Sequence, residues 1–393
     1  MKEWIYVRAG DFIEFNPGLN IKKGITATKI SMDKLQPFSK KILGAESAVF
    51  TGGAKFRNGD TIMARITPCL ENGKTAFVDI LNDGEIGFGS TEFIVLRARK
   101  GISDPQFIYY LATSPFFRKQ AIKSMVGSSG RQRVQQNVLD NLELKIPDIV
   151  TQEKIGYILS CFDKKIAINK QINDNLEQQA QSYFQELFVD NASPEWTTGT
   201  ISDLGTVVGG STPSKAKPEY YTESGIAWIT PKDLSINKSK FVSHGENDIT
   251  ELGLKNSSAA IMPEGTVLFS SRAPIGYIAI AAGEVTTNQG FKSVVPKPEI
   301  GTPFVYFFLK NTLPVIEGMA SGSTFKEVSG STMKNVPAVI PDAETLAKFS
   351  DFCAPIFAQQ RILEEQNQSL ATLRDNLLPK LMSGEIDVSA VQL

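Results

Sequence analysis

The chain repeats itself. Val126-Gly127-Ser128-Ser129, Leu142 and Ile146-Pro147 line up with Ala320-Ser321-Gly322-Ser323, Val336 and Ile340-Pro341 at one displacement of 194 residues. The same displacement pairs Leu176 with Leu370 and Leu187 with Leu381, and near the start Glu3-Trp4 and Asp11 match Glu195-Trp196 and Asp203 at 192. A period this long is no solenoid unit; it means two copies of one domain plan. With 393 residues there is room for about two to three domains, so the two copies account for the chain.

Within each copy the texture changes once. Residues 1–147 and 191–341 are rich in Gly, Pro, Thr and β-branched runs such as Thr61-Ile62-Met63-Ala64-Arg65-Ile66 and Thr266-Val267-Leu268-Phe269, bounded by the turns Asn58-Gly59-Asp60 and Pro263-Glu264-Gly265. They predict mixed α/β (α+β) globules. Asp104-Pro105 and Gly301-Thr302-Pro303 each precede an aromatic run, Phe107 to Leu111 and Phe304 to Leu309, which predicts a short buried helix. Residues 148–190 and 342–393 are helical instead. In the first, apolar residues keep heptad spacing through Ile155, Phe162 and Leu176, and through Leu159, Ile166 and Leu187. Adding 194 yields a second seam with Phe349, Ile356, Leu363, Leu370 and Leu377 in one series and Cys353 and Leu381 in the other. The two segments are expected to pair as an antiparallel coiled coil that carries one globule to each end, with an approximate two-fold axis. Asn169, Asn173 and Asn367 interrupt the seams, and a buried amide fixes register at a cost in stability. Cys161 and Cys353 read as packing residues beside or within the seam, while Pro355 and Pro379 are expected to limit the second helix.

Several chemistries lose their best candidates. Cys69, Cys161 and Cys353 stand far apart with no CxxC pair, and the single histidine, His244, lies in a polar loop-like run, which removes the usual zinc sites and histidine-based catalysts. Gly73-Lys74-Thr75 has Pro68 where a phosphate loop needs its first glycine, and Gly87-Phe88-Gly89 has Glu92 where GxGxxG needs its third. Glu143-Leu144-Lys145 precedes Pro147-Asp148, the reverse of the order in nucleases that use ExK. No stretch approaches the roughly 18 apolar residues of a membrane span, so a soluble, cytoplasmic chain is expected. Net charge is −1, but it is unevenly spread. Residues 1–147 carry 21 Lys and Arg against 14 Asp and Glu, residues 191–341 carry 12 against 13, and both helical segments are acidic, 4 against 7 and 4 against 8. One globule is basic, the footprint expected of a nucleic-acid contact.

The second copy then resembles a known family. Gly210-Ser211-Thr212-Pro213-Ser214, Pro218-Glu219-Tyr220-Tyr221 and Ile226-Ala227-Trp228-Ile229-Thr230-Pro231-Lys232-Asp233-Leu234 look like the opening motifs of a target recognition domain from the DNA specificity subunit of Type I restriction-modification systems. Gly265 to Gly276, Thr287 to Lys292 and Ser321 to Lys326 follow in the family's order. The first copy resembles another version of the domain through Asn58 to Pro68 and Gly127 to Val134; it lacks the Trp-Ile-Thr-Pro block, for which Thr28 to Leu35 is a remote equivalent. Two helical regions of the family correspond to Gln152–Phe188 and Ala343–Met382.

The resemblance implies a non-catalytic subunit that reads a bipartite duplex sequence with two different half-sites. It further implies that the chain bridges two adenine methyltransferase subunits and supports restriction subunits carrying the motor and nuclease. S-adenosylmethionine, ATP and Mg would then belong to those partners, with no cofactor, metal or membrane for this chain. A helix from Gln152 to Phe188 would extend roughly 55 Å at about 1.5 Å per residue, and major-groove faces recur at about 34 to 36 Å. The competing possibilities are a non-DNA adaptor with two domains on a coiled-coil rod and an enzyme whose site is assembled from distant loops. Candidate DNA contacts in the first globule are Lys55, Arg57, Arg65, Lys74, Ser128, Arg131 and Arg133. Those in the second are Ser211, Thr212, Lys215, Lys232, Arg272, Gln289, Lys292, Thr324 and Lys326, with Arg272 expected at a strand end.

Overall fold

Each β-rich globule is organised around a short strand buried along its whole length, Thr61–Ala64 in one and Val267–Ser271 in the other. In the computed structural model, which describes residues 4–128, 130–322 and 326–392, the chain divides into two units. One comprises residues 1–168 with 367–393, the other residues 169–366.

In the first unit Thr61–Ala64 lies between Phe93–Ala98 and Thr75–Phe77 in an antiparallel sheet completed by Ile13–Phe15. Its inward side chains, Met63, Ile94 and Leu96, are fully buried with Phe12, Phe107 and Phe117. A second four-stranded sheet runs Glu46–Val49, Thr26–Ile30, Gly87–Gly89, Lys55–Phe56, and its central pair is parallel. The terminal strands Ile5–Arg8 and Glu143–Ile146 pair antiparallel and close the globule. The second unit repeats this plan. Val267–Ser271 sits in the sheet Gly205–Gly209, Lys292–Pro296, Val267–Ser271, Ile275–Ala281, Phe241–Val242. A four-stranded sheet again carries one parallel pair, Ile226–Ile229 with Thr286–Thr287, and Thr197–Thr200 with Pro337–Ile340 closes the globule. Topology therefore aligns Ile226–Ile229, the Trp-Ile-Thr-Pro strand, with Thr26–Ile30. The remote equivalent chosen on sequence stands at the matching place, with a single 3-10 turn, Met32–Lys34, where the second unit has the helix Pro231–Ile236.

Both aromatic runs are helical and buried. Asp104 caps Pro105–Thr113 by accepting from the Phe107 amide at 2.8 Å, an arrangement typical of helix starts with proline in the first turn. The second run is longer than expected, Thr302–Gly318, and passes through Pro314.

The long helices are Ile149–Gln185, continued by a π turn over Glu186–Asp190, and Ala343–Ser383. Within the second unit their segments run antiparallel: the Asn169 amide donates to Gln366 at 2.7 Å, Asn173 and Gln360 exchange side-chain to backbone bonds of 3.2 and 3.1 Å, and the Tyr183 and Phe352 rings meet at a tilt, centroids 4.5 Å apart. Within the first unit the segments are also antiparallel, with Asp163 on Arg374 and Lys154 on the Ser389 carbonyl. Asn169 and Asn173 thus act as register devices. Of the seam residues, Ile155, Leu159, Ile356 and Leu363 are buried, whereas Phe162, Ile166, Leu176, Leu187, Leu370 and Leu377 are half-buried, Leu176 and Leu187 packing against the core of the second unit and Leu377 against that of the first.

Two expectations are corrected. The second long helix is not limited by Pro355 or Pro379 and runs unbroken through both. A helical proline costs about 3 kcal/mol, yet Pro355 faces outward while Cys353, Ile356 and Phe357 beside it are buried, so packing carries the helix across. Cys353 lies in the core, where burial pushes its thiol up to about 12, but Cys161 is exposed, one position off the seam. No helix among the described residues is long and apolar enough to cross a membrane.

Candidate nucleic-acid interface

At the end of each central strand the chain turns through a cis X-Pro bond, Thr67-Pro68 or Ala273-Pro274, and a second loop is tied to that turn. In the first unit the loop is 126–133. Val126 and Arg133 exchange backbone hydrogen bonds of 3.0 and 2.9 Å, Val134 donates to the Arg65 carbonyl at 2.8 Å, and Thr67 donates to that of Gln132 at 3.0 Å. Gly127 takes φ +141° and a Cβ there would lie 2.9 Å from the Arg131 carbonyl, so the loop closes only over glycine.

This junction gathers charge. Arg133 grips Glu92 through Nη2 at 2.7 Å and Nε at 3.0 Å, and Arg65 Nε lies 3.9 Å from the same carboxylate. The hydrogen bond from Arg133 holds the Glu92 carboxyl below its ordinary range despite an opposing contribution from burial. Ser128 and Arg131 are exposed on the same loop. Arg65 also lines an open cleft of ≈ 380 Å³ shared with Lys55, whose ammonium donates to the Leu19 carbonyl at 2.7 Å. Two candidates lie elsewhere. Arg57 is exposed in the turn at the opposite end of the Thr61–Ala64 strand, and Lys74 is half-buried with its ammonium on the Met32 carbonyl at 3.0 Å.

In the second unit the matching loop pairs Ser321 with Glu327 through mutual backbone bonds of 3.1 and 2.8 Å, and Val328 donates to the Ser271 carbonyl at 3.0 Å. Arg272 follows the strand end as expected. Its Nη1 lies 3.3 Å from Glu327, and Lys292 Nζ lies 3.7 Å from that carboxylate. Lys292 also donates to the Gln289 carbonyl at 3.3 Å, and Thr212 donates to the Gln289 side chain, so the Gly-Ser-Thr-Pro loop joins the cluster. The motif residues explain how that loop is held. Trp228 Nε1 donates to the Ser211 carbonyl at 3.0 Å, Tyr221 OH donates to that of Pro213 at 2.6 Å, and a Cβ on Gly210 would lie 2.0 Å from the Asn288 carbonyl.

Ser211, Thr212, Arg272, Gln289 and Lys292 therefore converge, with Lys326 exposed beside Glu327. Thr324 lies outside the described residues. Lys215 is exposed, and Lys232 pairs with Glu246 at 2.5 Å on the first turn of a helix whose Thr230 and Asp233 form a capping box, so the Thr-Pro-Lys-Asp motif is first a helix start. The residues missed on sequence are the two carboxylates, Glu92 and Glu327; acidic residues are not sought in a phosphate-binding surface, and neither has a local signature. His244 is exposed and 3.5 Å from Asp248.

The family model described as Type I restriction modification DNA specificity domain matches residues 1–178 and 194–373. The Type I restriction enzyme MjaIX specificity subunit of Methanocaldococcus jannaschii is 39% identical over 194 residues, a match spanning 47% of this chain and 45% of that relative. The HindI specificity subunit of Haemophilus influenzae is 26% identical over 409 aligned positions, covering 84% of this chain and 87% of the relative. The fold is similar to the crystal structure of the Type-I restriction-modification system S subunit from M. genitalium, with a TM-score of 0.57 at 17% identity over 96% of each chain.

Proposed function

Since the chain belongs to the Type I restriction modification DNA specificity family, carrying two copies of its domain, we propose that it reads a bipartite duplex sequence, one half-site per unit, through the two strand-end clusters. The observation that carries this reading is that two globules of the same plan each gather cations on a carboxylate at the same junction, Arg65 and Arg133 on Glu92 in the first and Arg272 and Lys292 on Glu327 in the second, with the three arginines part-exposed. Arginine held this way suits the paired acceptors of guanine in a major groove, while exposed cations such as Arg131 and Lys326 suit phosphate. The chain itself performs no chemistry in this reading. It joins two adenine methyltransferase subunits, and in a restricting assembly motor and nuclease subunits, which bring S-adenosylmethionine, ATP and Mg; the setting is the cytoplasm.

Retardation of duplex DNA by the full chain, with its methyltransferase partner added, tests the reading over a salt series. Affinity is expected to fall steeply with salt, and Arg131→Ala or Lys326→Ala should each lower the slope by about one unit. Salt-insensitive or absent retardation would favour a non-DNA adaptor. Lys74 provides an internal control: because its ammonium is committed to the Met32 carbonyl, Lys74→Met should leave the salt slope unchanged and alter stability by about 1 kcal/mol, read from urea unfolding.

A further inference from the structure

The two clusters are built at one point of the domain plan with their charges exchanged. Arg133 and Glu327 are 194 residues apart, the displacement of the repeat, and make the same backbone bonds, each to the residue that opens its loop. In the first unit the loop supplies Arg133, and the sheet side supplies the carboxylate, Glu92, with the strand-end Arg65 3.9 Å from it. In the second the loop supplies the carboxylate, and Arg272 and Lys292 come from the sheet side. Arg133, Arg272 and Glu327 remain accessible, with side-chain exposures of 43%, 37% and 36%, while Glu92 and Lys292 are more covered at 23% and 16%.

We infer that Glu92 and Glu327 are positioning residues for base recognition, each fixing the guanidinium that its unit presents to a half-site. The inference rests on the DNA-reading function proposed above. Ion pairs this exposed contribute little to stability, so holding the fold together is not what they chiefly do. They do restrict direction. Arg133 commits Nε and one Nη2 hydrogen to Glu92, which leaves the Nη1 and remaining Nη2 hydrogens on the outer edge, a pair spaced to meet two acceptors on one base. Released from Glu92, the same side chain would swing among rotamers and meet phosphate as readily as a base. Both units carry an arginine at the strand end, Arg65 and Arg272, and the charge at position 133/327 decides whether the loop adds a second one, as it does in the first unit. The same scaffold can therefore present a different set of arginines in each unit and distinguish two half-sites.

The test uses the full chain co-expressed with its methyltransferase partner, with methylated adenines mapped across the host genome, for wild type, Glu92→Gln and Glu327→Gln. Each substitution is expected to relax base preference about 5- to 100-fold at one position of one half-site, a different half-site for each, with unfolding temperatures unchanged. Retardation of an unrelated duplex should be as strong as wild type or stronger, since a negative charge has been removed; a merely structural role would weaken it. A wild-type motif that persists unaltered in both variants overturns the assignment of the glutamates. Equal relaxation of both half-sites with lowered thermal stability also overturns it, by placing the pairs in the fold. If the wild-type assembly yields no bipartite motif at all, the DNA-reading function itself fails.

Discussion

Replacing Glu177 with Gln is expected to destabilise the second unit by about 3–5 kcal/mol, the cost of leaving a buried charge without its partner. Glu177, on the first long helix, receives Lys240 at 2.8 Å and Lys310 at 2.5 Å, both from the globule, and accepts from Tyr306 OH at 3.1 Å. Lys240 is buried, 8% exposed, with its ammonium also on Gln360 of the second long helix at 2.9 Å and above the rings of Phe357 and Tyr306 at 3.4 and 4.4 Å. One carboxylate thus fastens globule to helices. Burial pushes Glu177 upward, but Lys240 and Lys310 outweigh it and hold the carboxyl at about 2. The stability it confers is therefore complete above its ordinary value of 4.5 and is lost as pH falls from there toward 2. Glu364, pushed up by burial and accepting from the Lys240 and Phe241 amides, acts in the opposite sense. The difference between wild type and Glu177→Gln isolates the Glu177 contribution. Urea unfolding midpoints measured from pH 7 downward should converge in acid; parallel curves would mean that Glu177 does not carry the docking. A double variant, Lys240→Met with Glu177→Leu, should recover most of the loss, because an apolar pair of similar volume often matches a buried ion pair.

Lys240 has a counterpart in the first unit that no sequence comparison reveals. Lys40 sits over the rings of Phe77, Tyr109 and Tyr110, and Asp163 of the first long helix joins Tyr110 OH and Arg374, each at 2.5 Å. Burial lowers both lysines to about 8. The repeat, the two helices and the amide register were legible because they are periodic: Asn169 and Asn173 break a heptad that their neighbours keep. These docking networks were not legible, since Glu177 and Lys240 are 63 residues apart and carry no local pattern. The same blindness affects the charge count. The first globule's excess of cations includes Arg99, which donates to the Gly10 carbonyl, Arg118 on the Glu71 carbonyl, Lys74 and Lys40, all committed internally. A basic total therefore overstates how much of that globule's positive charge is free at its surface. The loops fared better: Gly210-Ser211-Thr212 and Gly127 to Arg133 were legible as motifs because close backbone approach demands glycine there, whereas Glu92 and Glu327 act only through geometry.

Arg97 shows why an arginine in the basic globule need not read anything, and it gives the second large expected effect. Its Nε and Nη2 each lie 2.7 Å from an oxygen of Asp60, a bidentate pair with side-chain exposures of 10% and 1%. Asp60 also accepts from the Arg57 amide at 2.9 Å, so a single carboxylate fixes the Asn58-Gly59-Asp60 turn that opens the central strand. Asp60→Ala should cost about 3–5 kcal/mol by stranding the guanidinium in the core. Asp60→Asn should cost nearly as much, because an amide offers one acceptor oxygen and turns its NH2 toward a second donor. Asp60→Leu combined with Arg97→Met should regain most of that stability. Urea unfolding supplies the energies, and DNA retardation supplies the contrast. Below the unfolding transition, the double variant should bind with near wild-type affinity and salt slope, while Arg133→Ala should stay folded and lose sequence preference. If the folded double variant instead bound DNA no better than Arg133→Ala, Arg97 would belong to the reading surface, and the division between arginines that hold the fold and arginines that face the duplex would be wrong.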